Sequence, residues 1–186
     1  MATVRNFQAK DTEKLREICV ATSNFATDTQ KQKNFLYYLY NDYYTEFEPE
    51  SCFVLADDND EAVGYILCAK DFDTYYETFE NFFMPRITQL GFKYSFMTRS
   101  EILVHRIVKD KYPAHLHIDI MPDYQGKGYG RKLISALKDH LKEQGIPNVM
   151  LSVGATNKGV IAFYEKNGFR SVKNFFGNKI MISETD

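Results

Sequence analysis

Residues 114–141 read AHLHIDIMPDYQGKGYGRKLISALKDHL, and this stretch decides the fold. It opens as a strand: Leu116, Ile118 and Ile120 alternate with His115, His117 and Asp119, the period of two that sends side chains to opposite faces. Pro122 and Asp123 stop the strand, and a turn carrying Gln125, Gly126, Lys127, Gly128, Tyr129 and Gly130 follows. A helix then begins, with Leu133, Ile134, Leu137 and Leu141 on one stripe and Arg131, Lys132, Lys138 and Asp139 off it. Strand, glycine turn and helix form the geometry in which free N–H groups at a helix start converge on an anion.

Spacing narrows the choice of anion. A Walker loop ends in Gly-Lys-Ser/Thr, and no Ser or Thr stands here to hold magnesium. The dinucleotide fingerprint needs Gly-x-Gly-x-x-Gly, whereas this turn reads Gly126-x-Gly128-x-Gly130. Gln125-x-x-Gly128-x-Gly130 resembles instead the pyrophosphate loop of the GNAT N-acetyltransferase superfamily, which binds acetyl-coenzyme A. Residues 157–169, NKGVIAFYEKNGF, resemble that superfamily's closing motif, with Asn157, the Phe163-Tyr164 pair and Gly168-Phe169 in register.

The rest of the chain suits that resemblance. Its 186 residues match one domain with a core of ordinary size, and 44 % apolar with 26 % charged residues is a globular balance. Lys and Arg total 23 against 25 acids, a net charge of −2, so neither nucleic acid nor an anionic membrane is an expected partner. Cys19, Cys52 and Cys68 lack Cys-x-x-Cys spacing; they read as buried small apolar residues in a reducing compartment, with no metal site expected. No cleavable leader and no run of about 18 apolar residues is present, which reads as a cytoplasmic protein.

In chain order, residues 3–7 are extended, and Asp11-Thr12 offers an N-cap before Leu15, Ile18 and Cys19. A second helix is expected over residues 29–44, where Phe35, Leu36, Leu39, Tyr40 and Tyr43 recur at helical spacing. CFVLA (52–56) and AVGYILCA (62–69), joined by the polar turn 57–60, read as a hairpin. Residues 71–112 form an enlarged helical insertion in which Phe72, Tyr75, Tyr76, Phe79, Phe83 and Ile87 keep helical spacing and Pro85 marks a break. These aromatics, like Tyr37, Tyr38, Tyr40, Tyr43 and Tyr44, either cover the sheet or wall an acceptor pocket. A strand at 149–153, a short helix from Asn157 to Asn167-Gly168, and strands at 169–172 and 179–182 complete the chain. The fold class expected is α+β: a mixed, mostly antiparallel GNAT-like central sheet flanked by helices, with strands splayed at the coenzyme site.

Each part of acetyl-coenzyme A has an expected place. The N–H groups of Gly126, Lys127, Gly128, Tyr129, Gly130 and Arg131, with the helix dipole, face the pyrophosphate, and Lys127 and Arg131 either add charge or are simply solvated. The resemblance implies that the pantetheine amides pair with the main chain at Ile118, Asp119 and Ile120, as an added strand would. It also implies Asn157 as a coenzyme contact and Tyr164, seven residues on, as the general acid for the leaving thiolate. Positions where relatives carry a base hold Ser152 and Ala114 here. His117 and Asp119, on one strand face, are the candidate bases, and a relationship between them is expected.

Residues 112–119, YPAHLHID, together with 48–54 and Val63-Gly64-Tyr65, also look like the acetyltransferase-like domain of some O-GlcNAc-removing hydrolases and its free-standing bacterial relatives. The expected function is acetyl-coenzyme A dependent transfer to a small-molecule or peptide amine by a monomer or homodimer. The alternative is a non-catalytic acetyl-coenzyme A sensor or protein-interaction module.

Overall fold

The computed structural model describes residues 1–185. Seven strands form one sheet in the order β1 (Thr3–Asn6), β2 (Cys52–Ala56), β3 (Ala62–Ala69), β4 (His115–Ile120), β5 (Asn148–Gly154), β7 (Asn178–Glu184), β6 (Arg170–Phe175). Every neighbouring pair is antiparallel except β4 and β5. The hairpin β2–β3 is buried throughout, as two near-continuous apolar runs require. Asp57 shapes its turn by accepting the N–H groups of Asn59 (2.9 Å) and Glu61 (3.0 Å).

Helices cover both faces. The strand period divides β3 between them: Tyr65, Leu67 and Ala69 meet α1 (Thr12–Thr22), α2 (Gln30–Tyr40), α3 (Asp42–Phe47) and the insertion, while Ile66 and Cys68 meet α7 (Tyr129–Glu143). The insertion is α4 (Phe72–Phe82), α5 (Met84–Leu90) and α6 (Phe92–Arg106). Pro85 lies in the first turn of α5, where its missing N–H would have no intrahelical partner anyway. Phe72, Tyr75, Phe79 and Phe83 are buried on the sheet, so the insertion's aromatic stripe is core. The short helix α8 (Lys158–Lys166) closes the site end of the other face.

Two local expectations differ from the structure. The helix expected over 29–44 breaks at Asn41 (φ −132°, ψ −60°). The break lets Asp42 take a two-bonded Arg16 guanidinium (both 2.9 Å) and sends Tyr43 inward, where its hydroxyl donates to Glu48 (2.8 Å). Asp11 does not cap α1; its carboxylate accepts from Gln8 N–H (2.9 Å) and from two Arg5 nitrogens (2.8 and 2.9 Å), a stronger set of donors.

Gly130 joins α7 to α8 by close approach. A Cβ there would lie 2.8 Å from Phe163 Cζ and 3.1 Å from its Cε2. Overpacking of this kind costs about 1–3 kcal/mol, against about 1 kcal/mol gained from alanine's helix propensity. A Gly130→Ala protein is therefore expected to unfold at lower denaturant than the parent; equal or greater stability would contradict this packing.

Candidate active site

The site begins where β4 and β5 part. They share one register position, His115 with Met150, fixed by Met150 N–H donating to Ala114 O (2.9 Å). Beyond it β5 stays paired with β7 along its whole length, while β4 stays with β3 through Ile120. Met121 N–H extends that pairing to Val63 O (2.9 Å), so β4 leans away from β5. The open edge of β4, which carries the main-chain groups of Ile118 and Ile120 while those of Asp119 face β3, thus has no strand beside it, the splay expected from sequence. Ile120 O is already engaged: it accepts from Gln125 Nε2 (2.8 Å), so Gln125 ties the loop to the strand end.

The loop then turns through two left-handed glycines, Gly126 (φ +72°) and Gly128 (φ +81°), into α7. Among the described residues, the N–H groups of Gly126, Lys127, Gly128, Tyr129, Gly130 and Arg131 have no backbone acceptor; the first bond is Lys132 N–H to Gly128 O (3.4 Å). A Cβ built at Gly126 or Gly128 meets nothing within 4 Å, so the space before these groups is open. Lys127 lies over the Tyr124 ring (5.7 Å), and neither Lys127 nor Arg131 has an ion-pair partner among the described residues. Tyr129 is held by its hydroxyl, which accepts Ala2 N–H (3.1 Å). The Asn157 side chain caps α8 by accepting Val160 N–H (3.3 Å).

On the α1–α3 face of β4 lies a cavity of about 240 Å³, lined among others by Cys19, Tyr40, Glu101, His117, Asp119 and Ser152. Asp119 is its organising group: Oδ2 accepts from Tyr65 Oη (2.7 Å) and pairs with His117 Nε2 (3.0 Å). Tyr40 stacks on His117 with centroids 5.0 Å apart. Burial pulls the His117 imidazole down, but the Asp119 carboxylate outweighs it and holds the group up at about 10. At neutral pH His117 is therefore an imidazolium donating to Asp119, and the acceptor of the pair is Asp119. His115, on the same strand face, sits apart in the core with Tyr75 and His105 (each 4.6 Å), and burial keeps it neutral.

Tyr164 stands on α8, packed against Phe163 (5.2 Å) and Phe169 (5.4 Å), and its hydroxyl has no hydrogen-bond partner among the described residues. Burial, then the Asp119 charge, pushes the phenol well up, so it is protonated.

The structure thus brings His117 and Asp119 together, gathers the unpaired N–H groups of residues 126–131 at the start of α7, and places Asn157 at the start of α8 with Tyr164 on that helix. Sequence reasoning missed Cys19, Tyr65 and Glu101. Cys19, read as an inert core residue, is buried, yet its sulfur lies within 4.8 Å of ligating atoms of His117 and Asp119. Tyr65 was hidden in an apolar strand, although its partner position to Asp119 follows from the β3–β4 register. Among the described residues no helix is long and apolar enough to cross a membrane.

Comparison with known proteins agrees with this geometry. The chain is 46 % identical over 52 residues to the mycothiol acetyltransferase of Streptomyces coelicolor, a match spanning 28 % of this chain and 17 % of that one. It is 43 % identical over 53 residues to the ribosomal protein bS18-alanine N-acetyltransferase of Escherichia coli K12, spanning 28 % and 36 %. The matches thus span only about a sixth to a third of these relatives. The crystal structure of SsHAT superimposes with a TM-score of 0.88 at 29 % identity, covering 100 % of this chain and 98 % of the other. PH1933 from Pyrococcus horikoshii shares the fold at a TM-score of 0.67 and 19 % identity, covering 100 % and 99 %. The model of the Acetyltransferase (GNAT) family matches residues 14–169, through the glycine loop and the helix of Tyr164, and the chain belongs to that family.

Proposed function

We propose that this protein is an acetyl-coenzyme A dependent N-acetyltransferase that passes the acetyl group directly from the thioester to an amine. The observation that carries the reading is the parting of β4 and β5 beside an open glycine loop whose amides lack acceptors. The pyrophosphate fits the N–H groups of Gly126, Lys127, Gly128, Tyr129, Gly130 and Arg131, with Lys127 and Arg131 adding charge. The pantetheine arm fits the uncovered edge of β4, with Asn157 opposite. The acceptor amine enters from the 240 Å³ cavity and gives its proton to Asp119, which Tyr65 and His117 orient. Tyr164 donates to the sulfur as it leaves.

Residues 1–186 act in this reading as one cytoplasmic domain, a monomer or homodimer, on a small-molecule or peptide amine. The sequence phrases around Tyr112 and Glu48 support placing it near the acetyltransferase-like domain of O-GlcNAc hydrolases. A second reading, a coenzyme sensor or interaction module, is favoured by Ser152 and Ala114 at positions where relatives carry a base. Thiol release measured against pooled amines, polyamines, amino sugars and peptides separates the two. Turnover supports the enzyme; coenzyme binding without turnover across the panel supports the module.

Direct transfer has its own check, because Cys19 lies so near His117. Burial pushes the thiols of Cys52 and Cys68 up and keeps them unreactive. Cys19→Ala is expected to retain turnover, whereas a trapped acetyl-Cys19 that decays at the catalytic rate would replace direct attack by a two-step route.

A further inference from the structure

Glu101 of α6 is an acid without a partner. Asp11 has Arg5, Asp42 has Arg16, Glu48 has the Tyr43 hydroxyl and Lys70 N–H, and Asp119 has Tyr65 and His117. Glu101, half-buried, makes no hydrogen bond or ion pair with any described residue, and its carboxylate stays open to the hollows it borders. It borders two adjoining hollows: the 240 Å³ cavity that reaches Asp119, and a second of about 190 Å³ between α2 and α6, lined by Phe35, Leu39, Phe96 and Met97. Phe25, Tyr40 and Glu101 line both. An unpaired carboxylate facing a hollow draws a cation, and the aromatic rings beside it add attraction for one.

We propose that Glu101 marks a second cation subsite, and that the acceptor is a small linear diamine or polyamine: its reacting amine lies toward Asp119, and its other ammonium rests against Glu101 between Phe25 and Tyr40. The assignment rests on reading the cavity as the acceptor site. No Lys or Arg lines either hollow, so an acceptor bearing a carboxylate or phosphate finds no free cation there. At about 30 Å³ per water-sized group, the larger hollow holds roughly eight such groups, the size of a short alkyl diamine. Burial pushes the Glu101 carboxyl up, the His117 charge opposes this, and an arriving ammonium would ionise it fully.

Calorimetric titration of the protein, free and loaded with coenzyme A, tests the subsite with 1,4-diaminobutane, 1-aminobutane and 4-aminobutanoate. The diamine is expected to bind about 10–100-fold more tightly than 1-aminobutane, the range of one charge-assisted hydrogen bond, and 4-aminobutanoate most weakly. Glu101→Gln should bring the diamine-to-monoamine ratio close to one, and Glu101→Asp, which keeps the charge, should keep most of it. Equal affinities, no measurable diamine binding, or a ratio unchanged in Glu101→Gln would overturn the subsite. A lysine-containing peptide that binds more tightly than the diamine would overturn the small-molecule assignment. Titration with coenzyme A alone keeps the two readings apart: its failure would defeat acetyl transfer, while the amine ratios would still decide Glu101.

Discussion

Tyr164→Phe is expected to lower kcat about 10²–10⁴-fold, the range of a lost general acid, with little change in coenzyme affinity. The substitution removes one oxygen from a side chain whose ring already packs on Phe163 and Phe169, so the fold has little to lose. That hydroxyl has no partner among the described residues, which leaves it free to donate to an incoming group. Its raised pKa makes full proton transfer to a thiolate uphill. The transfer is helped only as the amine gives up its own proton, so the two proton movements are linked. The loss should shrink for a thioester whose leaving thiol is more acidic, because that thiolate departs with less help. Wild-type turnover in the Tyr164→Phe protein would remove this residue from the mechanism.

Gly128→Asp is expected to weaken acetyl-coenzyme A binding by at least about 100-fold, measured by calorimetry on protein shown to be folded. Valine is the poorer test, since a β-branched residue at φ +81° is strained whatever the ligand does. Aspartate tolerates the left-handed region far better, and a Cβ there meets nothing within 4 Å. The new carboxylate would then occupy the space assigned to the pyrophosphate. Two like charges at 4 Å in a surface environment repel by about 4 kcal/mol, ample for the predicted loss. Unchanged affinity in the folded variant would place the pyrophosphate elsewhere.

Much of the fold was legible because its signals were local. The alternation from Leu116 to Ile120, the glycines after Gln125 and the Leu133–Leu141 stripe each needed only neighbouring residues, and all three elements lie where the sequence placed them. The break at Asn41 was not local: it depends on Arg16, 26 residues from Asp42. The loop around Gly126 and Gly128 was legible for the same reason as the strand. The cavity was not. Of its lining, Tyr40 stood only among several tyrosines that either cover the sheet or wall a pocket, while Cys19 and Glu101, from α1 and α6, have nothing in their own surroundings that sets them apart from core residues. His117 and Asp119 were found as a pair, but that the Asp119 charge outweighs burial at His117 depends on the packing around them, which the spacing does not show.

The single register position between β4 and β5 has a mechanical consequence. Through its backbone the sheet is two leaves, β1–β4 and β5–β7, stitched at one point near the start of the seam. On the proposed reading, the pantetheine arm slots into that seam as a temporary thread. The donor would then brace the two leaves against each other while the acceptor waits in the hollow on one side. Release of the spent coenzyme would unlace them again. A single molecule would thus serve as both reagent and structural member, and the stiffness of the sheet would follow the catalytic cycle.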